Sequence, residues 1–166
     1  MSYKLVSETN PILSKKLEPY IFSSFSSAKD LSDSMFNFMK ENNGIGLSEN
    51  QIGIDARVFV IGLENYRLDV FNPQIINILG KDFLLDEGCL SFKNVFVKVQ
   101  RPSSIHVKFQ DNTGKVCEEV FSGLTARIFL HEYDHLEGVT FKDRVSKMKW
   151  NLANKRKLKF EKRRTS

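Results

Sequence analysis

The sequence predicts an α+β fold with largely antiparallel sheets, and three patterns carry that prediction. An amphipathic run comes first, with Leu31, Met35, Phe38 and Met39 recurring along one helical face. Strand-like alternation punctuated by turn residues then fills the middle of the chain. A second helical run, from Gly123 to Gly138, follows those strands. Strands gathered between two helices are the pattern of an α+β domain.

Each element has its own local signal. Residues 23–27 read as a short polar loop before the first helix, and Asn43-Gly44 stops that helix. Residues 57–62, 68–71 and 74–79 read as strands rich in branched and aromatic side chains. In residues 104–110, Ile105, Val107 and Phe109 share an apolar face, which leaves His106 pointing the same way as Lys108, toward water. The turn at Asp111-Asn-Thr-Gly114 joins that strand to residues 115–121, where Cys117 reads as an ordinary packing residue.

Composition fits one enzyme-sized domain. A chain of 166 residues, 41% hydrophobic with 14 phenylalanines, can bury one aromatic-rich core without disulfide staples. Two cysteines suit a reducing compartment. The start lacks the apolar stretch of a signal peptide and no run is long enough to span a membrane, so the cytoplasm is the expected location. Residues 1–146 are expected to form one domain and residues 147–166 a basic tail. That tail holds nine lysines and arginines against one acidic residue, whereas the preceding 146 residues carry 16 basic and 19 acidic side chains. The positive balance therefore resides in the tail, whose Met148, Leu152 and Leu158 hint at a helix. It is either a solvated end or a contact for phosphate backbone.

The second helical run contains His131-Glu132-Tyr-Asp-His135, an H-E-x-x-H pattern. Two imidazoles four residues apart on a helix can grip one metal ion, and the carboxylate beside the first lies near a water on that ion without being a ligand. A third ligand is needed. The metzincin position is Phe141, Glu137 is too near, and Glu161 lies in the basic tail, so standard protease sites are disfavoured. Cys89, in Asp86-Glu-Gly-Cys-Leu-Ser91, could complete a His2Cys set with an open position for water; on spacing alone an inert buried thiol is equally compatible.

Three segments in order resemble the peptide deformylases: Gly44-Ile-Gly-Leu-Ser-Glu-Asn-Gln51, similar to G-x-G-x-A-A-x-Q; Glu87-Gly-Cys-Leu-Ser91; and His131-Glu-Tyr-Asp-His-Leu-Glu-Gly138. Arg101-Pro102 and the turn at residues 111–114 also fall where that family has an arginine and a hairpin. The likeness spans residues 30–145. It implies antiparallel sheets packed around a central metal-binding helix, and removal of the formyl group from the N-terminal formylmethionine of nascent polypeptides. It also implies one divalent ion, Fe2+ in the cell, held by Cys89, His131 and His135 in a site that accepts Zn2+, Ni2+ or Co2+ as well.

By the same resemblance Glu132 is the general base and then acid, while the Leu90 N–H and the Gln51 amide stabilise the oxyanion. Gly44, Ile45, Gly46 and Glu87 would bind the peptide, and Leu85, Leu124 and Ile128 would line the methionine slot. Phe96 lies in a stretch, residues 92–100, that varies among relatives and leaves selectivity past methionine open. The sequence departs from the family at Ser48-Glu49-Asn50, where small residues and often a proline are usual. The ribosome is a partner that suits the basic tail, and a monomer is the expected state. The competing readings are another H-E-x-x-H metallopeptidase and a non-catalytic deformylase-like protein that binds nascent chains or ribosomes.

Overall fold

The computed structural model describes residues 3–23 and 27–165. Ser24, Phe25 and Ser26 of the expected polar loop, and the first two residues of the start, lie outside them. The elements run α1 (Ala28–Glu41), β1 (Gly46–Ser48), β2 (Val58–Leu63), β3 (Tyr66–Cys89), β4 (Phe92–Gln110), β5 (Val116–Ser122), α2 (Gly123–Leu136) and α3 (Lys147–Thr165). Short 3-10 turns lie at Pro11–Ser14, Glu49–Ile52 and Phe141–Arg144. Among the described residues no helix is long and apolar enough to cross a membrane.

α1 begins where the Ser27 hydroxyl accepts the Asp30 N–H at 3.0 Å and ends where Asn43 turns to φ +56° before Gly44. Its Met35 and Met39 are fully buried, as the periodicity predicts. The strands form one five-stranded sheet in the order β1-β2-β3-β4-β5, antiparallel at every pairing. A single sheet thus does what the sequence assigned to several. The runs 68–71 and 74–79, expected as two strands, belong to β3, which continues to Cys89. Pro73 looked like a break because it cannot donate to a ladder. The register shifts between Phe71 and Gln74, where Asn72 has φ +50°, and again between Leu79 and Asp82 around Gly80 at φ +72°. Bulges of this kind bend a strand without ending it.

β2 explains how two layers meet. Phe59 and Ile61 face one way, into a core with Ile105, Val107, Phe121, Phe129 and Leu136. Val58 and Val60 face the other, against Met35, Met39 and Leu47. Both faces are covered, so the strand reads as a continuous apolar run rather than an alternation. α2 is buried nearly all round, with the Phe129 ring edge-on to Phe59 at 5.0 Å between centroids. A helix this enclosed can carry polar groups in a setting where water does not compete for them.

The tail is a helix, but the apolar residues that hinted at it face solvent: Met148, Leu152 and Leu158 are exposed. Trp150 and Ala153 hold it instead, in a third cluster with Phe92, Val95, Val99 and Phe141. The Trp150, Phe92 and Phe141 rings meet edge to face at 5.4–5.8 Å.

Glu49 is the anomaly of this fold. It sits in the 3-10 turn after β1, 1% exposed, and neither carboxyl oxygen has a hydrogen-bond partner among the described residues. Burial pushes its carboxyl up to about 8 from an ordinary 4.5. Folded and unfolded chains both hold this proton below pH 4.5, and only the folded chain holds it from there to about 8. The contribution is therefore complete at low pH and lost as pH rises through that window. Each pH unit within it is worth about 1.4 kcal/mol. Glu49→Gln should flatten this dependence. Thermal midpoints of the two proteins, compared from pH 5 to pH 8.5, should diverge in the variant's favour as pH rises, and parallel curves would contradict the buried acid.

Candidate metal centre

Four residues on a helix make a little over one turn, so α2 presents His131 and His135 together, with ring centroids 5.2 Å apart. β3 ends opposite them. Cys89 is its last residue, paired with Phe92 across the tight turn Leu90-Ser91. That turn sets the thiol 3.3 Å from His135 Nε2. The ligand atoms of Cys89, His131 and His135 all lie within 4.8 Å of one another. The ambiguity over Cys89 left by spacing is thereby resolved: the sulfur is aimed at the two rings.

Donor type and charge both suit a cation. Burial, and after it the charges of His131 and Arg101, holds His135 well below the usual histidine range, so its ring is neutral and free to ligate. Burial opposes a charge on His131 too, yet Cys89 and Glu87 outweigh it and raise that ring to about 10. The Glu87 carboxylate beside His131 favours positive charge at this site, and a divalent ion would supply it. With an ion in place of the His131 proton, two imidazoles and one cysteine sulfur would form the donor set of a catalytic site for a borderline-soft ion such as Zn2+ or Fe2+.

Around these ligands lies a buried layer that sequence reasoning largely missed. Glu87, expected to bind the peptide, lines the cavity, and its carboxylate is engaged by its neighbours. Oε2 meets His131 Nδ1 at 3.0 Å, and Arg101 donates to Oε1 at 2.6 Å and Oε2 at 3.0 Å. Arg127 donates to Oε1 at 3.0 Å. Burial resists ionisation of Glu87, but the His131 and Arg101 contacts win and hold it well below the ordinary carboxylate range. With Nδ1 of His131 engaged, Nε2 is the nitrogen left for an ion, and the ring cannot rotate. Arg101 also donates to Asp134 at 2.8 Å, and Arg144 holds the same carboxylate. Arg127 had a readable signal: a cation one turn before His131, on the face that carries the ligand. Asp134 and Arg144 had none beyond the motif.

The remaining candidates meet at one cavity of about 740 Å³. Glu132 lies against Gly46, where a Cβ would come within 2.2 Å of its Oε1. Glycine at 46 is thus required to admit that carboxylate, a stronger reason than room for a peptide. Burial pushes Glu132 up to about 7, and its Oε2 has no partner among the described residues. Gln51 is fixed at both ends: Oε1 accepts the Ser48 N–H at 3.0 Å, and Nε2 donates to Cys89 Sγ at 3.3 Å and Ser91 Oγ at 3.0 Å. Leu90 follows Cys89 in the turn, and its side chain would clash with any Cβ at Gly44. Ile45, Leu85 and Leu124 stand half-exposed at the cavity mouth with Phe96, while Ile128 is buried deeper. His106 takes no part, being paired with Glu118 at 2.8 Å between β4 and β5, and Cys117 is half-buried against the main core.

Comparison with known proteins agrees with this geometry. The family model described as "Polypeptide deformylase" matches residues 2–151. The chain is 37% identical over 147 residues to the peptide deformylase of Thermotoga maritima, covering 89% of each. It is 40% identical over 149 residues to peptide deformylase 1B, chloroplastic/mitochondrial, of Arabidopsis thaliana, covering 86% of this chain and 54% of the relative. Among solved structures, a Synechococcus elongatus peptide deformylase in complex with actinonin superposes with a TM-score of 0.86 at 33% identity, covering 93% of this chain and 85% of that one. The Thermotoga maritima crystal structure gives 0.82 at 37% identity, covering 88% and 99%. Family model, relatives, fold and ligand cluster converge on one conclusion: the chain belongs to the polypeptide deformylase family.

Proposed function

We propose that this protein hydrolyses the formyl group from the N-terminal formylmethionine of nascent polypeptides, releasing formate. The observation that carries this reading is the buried Cys89–His131–His135 cluster with Glu132 beside it at the floor of an open cavity. Cys89, His131 and His135 would hold the ion. When bound, a divalent ion lowers the pKa of water and polarises a carbonyl, which is what a poorly electrophilic formamide needs. Glu132, raised to about 7 by burial, is poised to accept a proton from the attacking water and to return it to the leaving amine. The Gln51 amide, held by Ser48 and Ser91, and the Leu90 N–H donate to the oxygen on which charge collects.

Substrate geometry follows from β1. It is the outermost strand of its sheet, paired on one side with β2 (Gly46 opposite Ile61), so an extended peptide can add along Ile45–Gly46 as another strand. The methionine side chain then enters between Leu85, Leu124 and Ile128. Fe2+ is the ion proposed for the cell, with Zn2+, Ni2+ or Co2+ able to occupy the same donors. The exposed, basic half of α3 beyond Ala153 is proposed to bind ribosomal RNA, which places the monomeric enzyme beside emerging chains in the cytoplasm.

Glu132→Gln should lower kcat for formyl-Met-Ala-Ser by at least about 100-fold while its metal content, measured on the same sample, stays unchanged. Equal formate release by both proteins would refute the role of Glu132. Chelation should abolish activity, and anaerobic Fe2+ should restore it. Deleting residues 155–166, a cut that spares the core residues Trp150 and Ala153, should weaken salt-sensitive ribosome binding while leaving tripeptide hydrolysis intact. Undiminished ribosome affinity would dismiss the tail as the anchor.

A further inference from the structure

We propose that Asn50 is a positioning residue that locks the turn bearing Gln51 to the last turn of the metal helix, and so sets the spacing between the oxyanion donor and the ion. The inference rests on the role assigned to Gln51 above. Asn50 is completely buried in the 3-10 turn Glu49–Ile52, one residue before Gln51. Its side chain reaches 85 residues along the chain: Nδ2 donates to the main-chain carbonyl of His135 at 2.8 Å. That carbonyl lies in the last turn of α2, where it also takes the Gly138 N–H at 3.2 Å. Asn50 adds a side-chain donor at the backbone of a residue proposed to hold the ion.

The other end of the amide closes a circuit. The Ser48 hydroxyl donates to Asn50 Oδ1 at 2.8 Å and lies 3.1 Å from Gln51 Oε1, which also takes the Ser48 N–H. A continuous buried path therefore runs from the His135 carbonyl through Asn50 and Ser48 to the Gln51 amide, whose N–H groups face Cys89 and Ser91. Both termini of the path are groups that act on the same substrate oxygen, one through the ion and one directly. Without Asn50 the turn keeps the Ser48 N–H contact to Gln51 but loses its hydrogen bond to the His135 carbonyl, leaving the donor freer to drift relative to the ligands. Displacements of about 1 Å at such a donor cost up to about 100-fold in rate.

A double-mutant cycle tests this. Asn50→Ala should lower kcat for formyl-Met-Ala-Ser about 10-fold with KM changed less than about 2-fold, because the defect lies in transition-state geometry. In a Gln51→Ala background the same substitution should change kcat less than about 2-fold, since residues acting through one another are not additive. Hydrogen exchange of the Gln51 side-chain amide, followed by NMR in the metal-loaded protein, should quicken in Asn50→Ala without any assay of activity. Should that variant fail to fold, Asn50→Ser, too short to span to His135, takes its place. Equal losses of kcat in both backgrounds, or unaltered exchange at Gln51, would overturn the proposal. A Gln51→Ala protein as active as the parent would instead overturn the assignment of Gln51.

Discussion

The carboxylate of Glu87 is the interaction on which the remainder of the centre depends. It is nearly inaccessible to water, and three partners converge on it, His131 and Arg127 from α2 and Arg101 from β4, the last of which also binds Asp134 of α2. Removing one member of a buried charge cluster leaves its neighbour unpaired, typically at a cost of about 3–5 kcal/mol. The same cost fixes the register of α2 against β3 and β4, because a small slide would separate every pair at once. Precision at the ligands is thus obtained from charges paired with one another.

The glycines and acids near the site show how tightly the space is allotted. Gly46 is obligatory because Glu132 occupies the volume a Cβ would fill. Glu132 in turn owes its raised pKa to enclosure by α2, β1 and the floor of the cavity rather than to a hydrogen bond. Glu49, only three residues from Gly46, is also enclosed but turns away from the cavity. Two buried acids of similar character therefore flank one short strand, one placed for chemistry and the other a liability to stability as pH rises.

Much of this was legible beforehand, for identifiable reasons. α1 and α2 have clean helical periodicity, and the H-E-x-x-H spacing converts directly into two rings on one face. The thiol of Cys89 could not be assigned by spacing, because its approach to His135 depends on a turn and a bulge at the end of β3 that leave no pattern in the residues. β3 itself was divided because Pro73 and Gly80 carry the signature of a strand end, whereas tertiary pairing with β4 bridges both. α3 is a helix, as Met148, Leu152 and Leu158 hinted, but these stay exposed and Trp150 and Ala153 are the residues that bury. Asn50 and Arg127 make contacts 85 and 40 residues distant, and such partners are invisible without the fold.

Those long separations bear on how the protein comes into being. Cys89 and His135 are 46 positions apart, and the β3–β4 hairpin must zip and α2 must dock before they can meet. Non-local closure of this kind is a slow, late step, since chain entropy is lost before any contact compensates. An ion that binds only the finished arrangement draws the population toward it by mass action. Ion binding and folding are therefore coupled: a chain whose α2 has not yet docked lacks the assembled donors, and occupancy of the site would mark the completed fold.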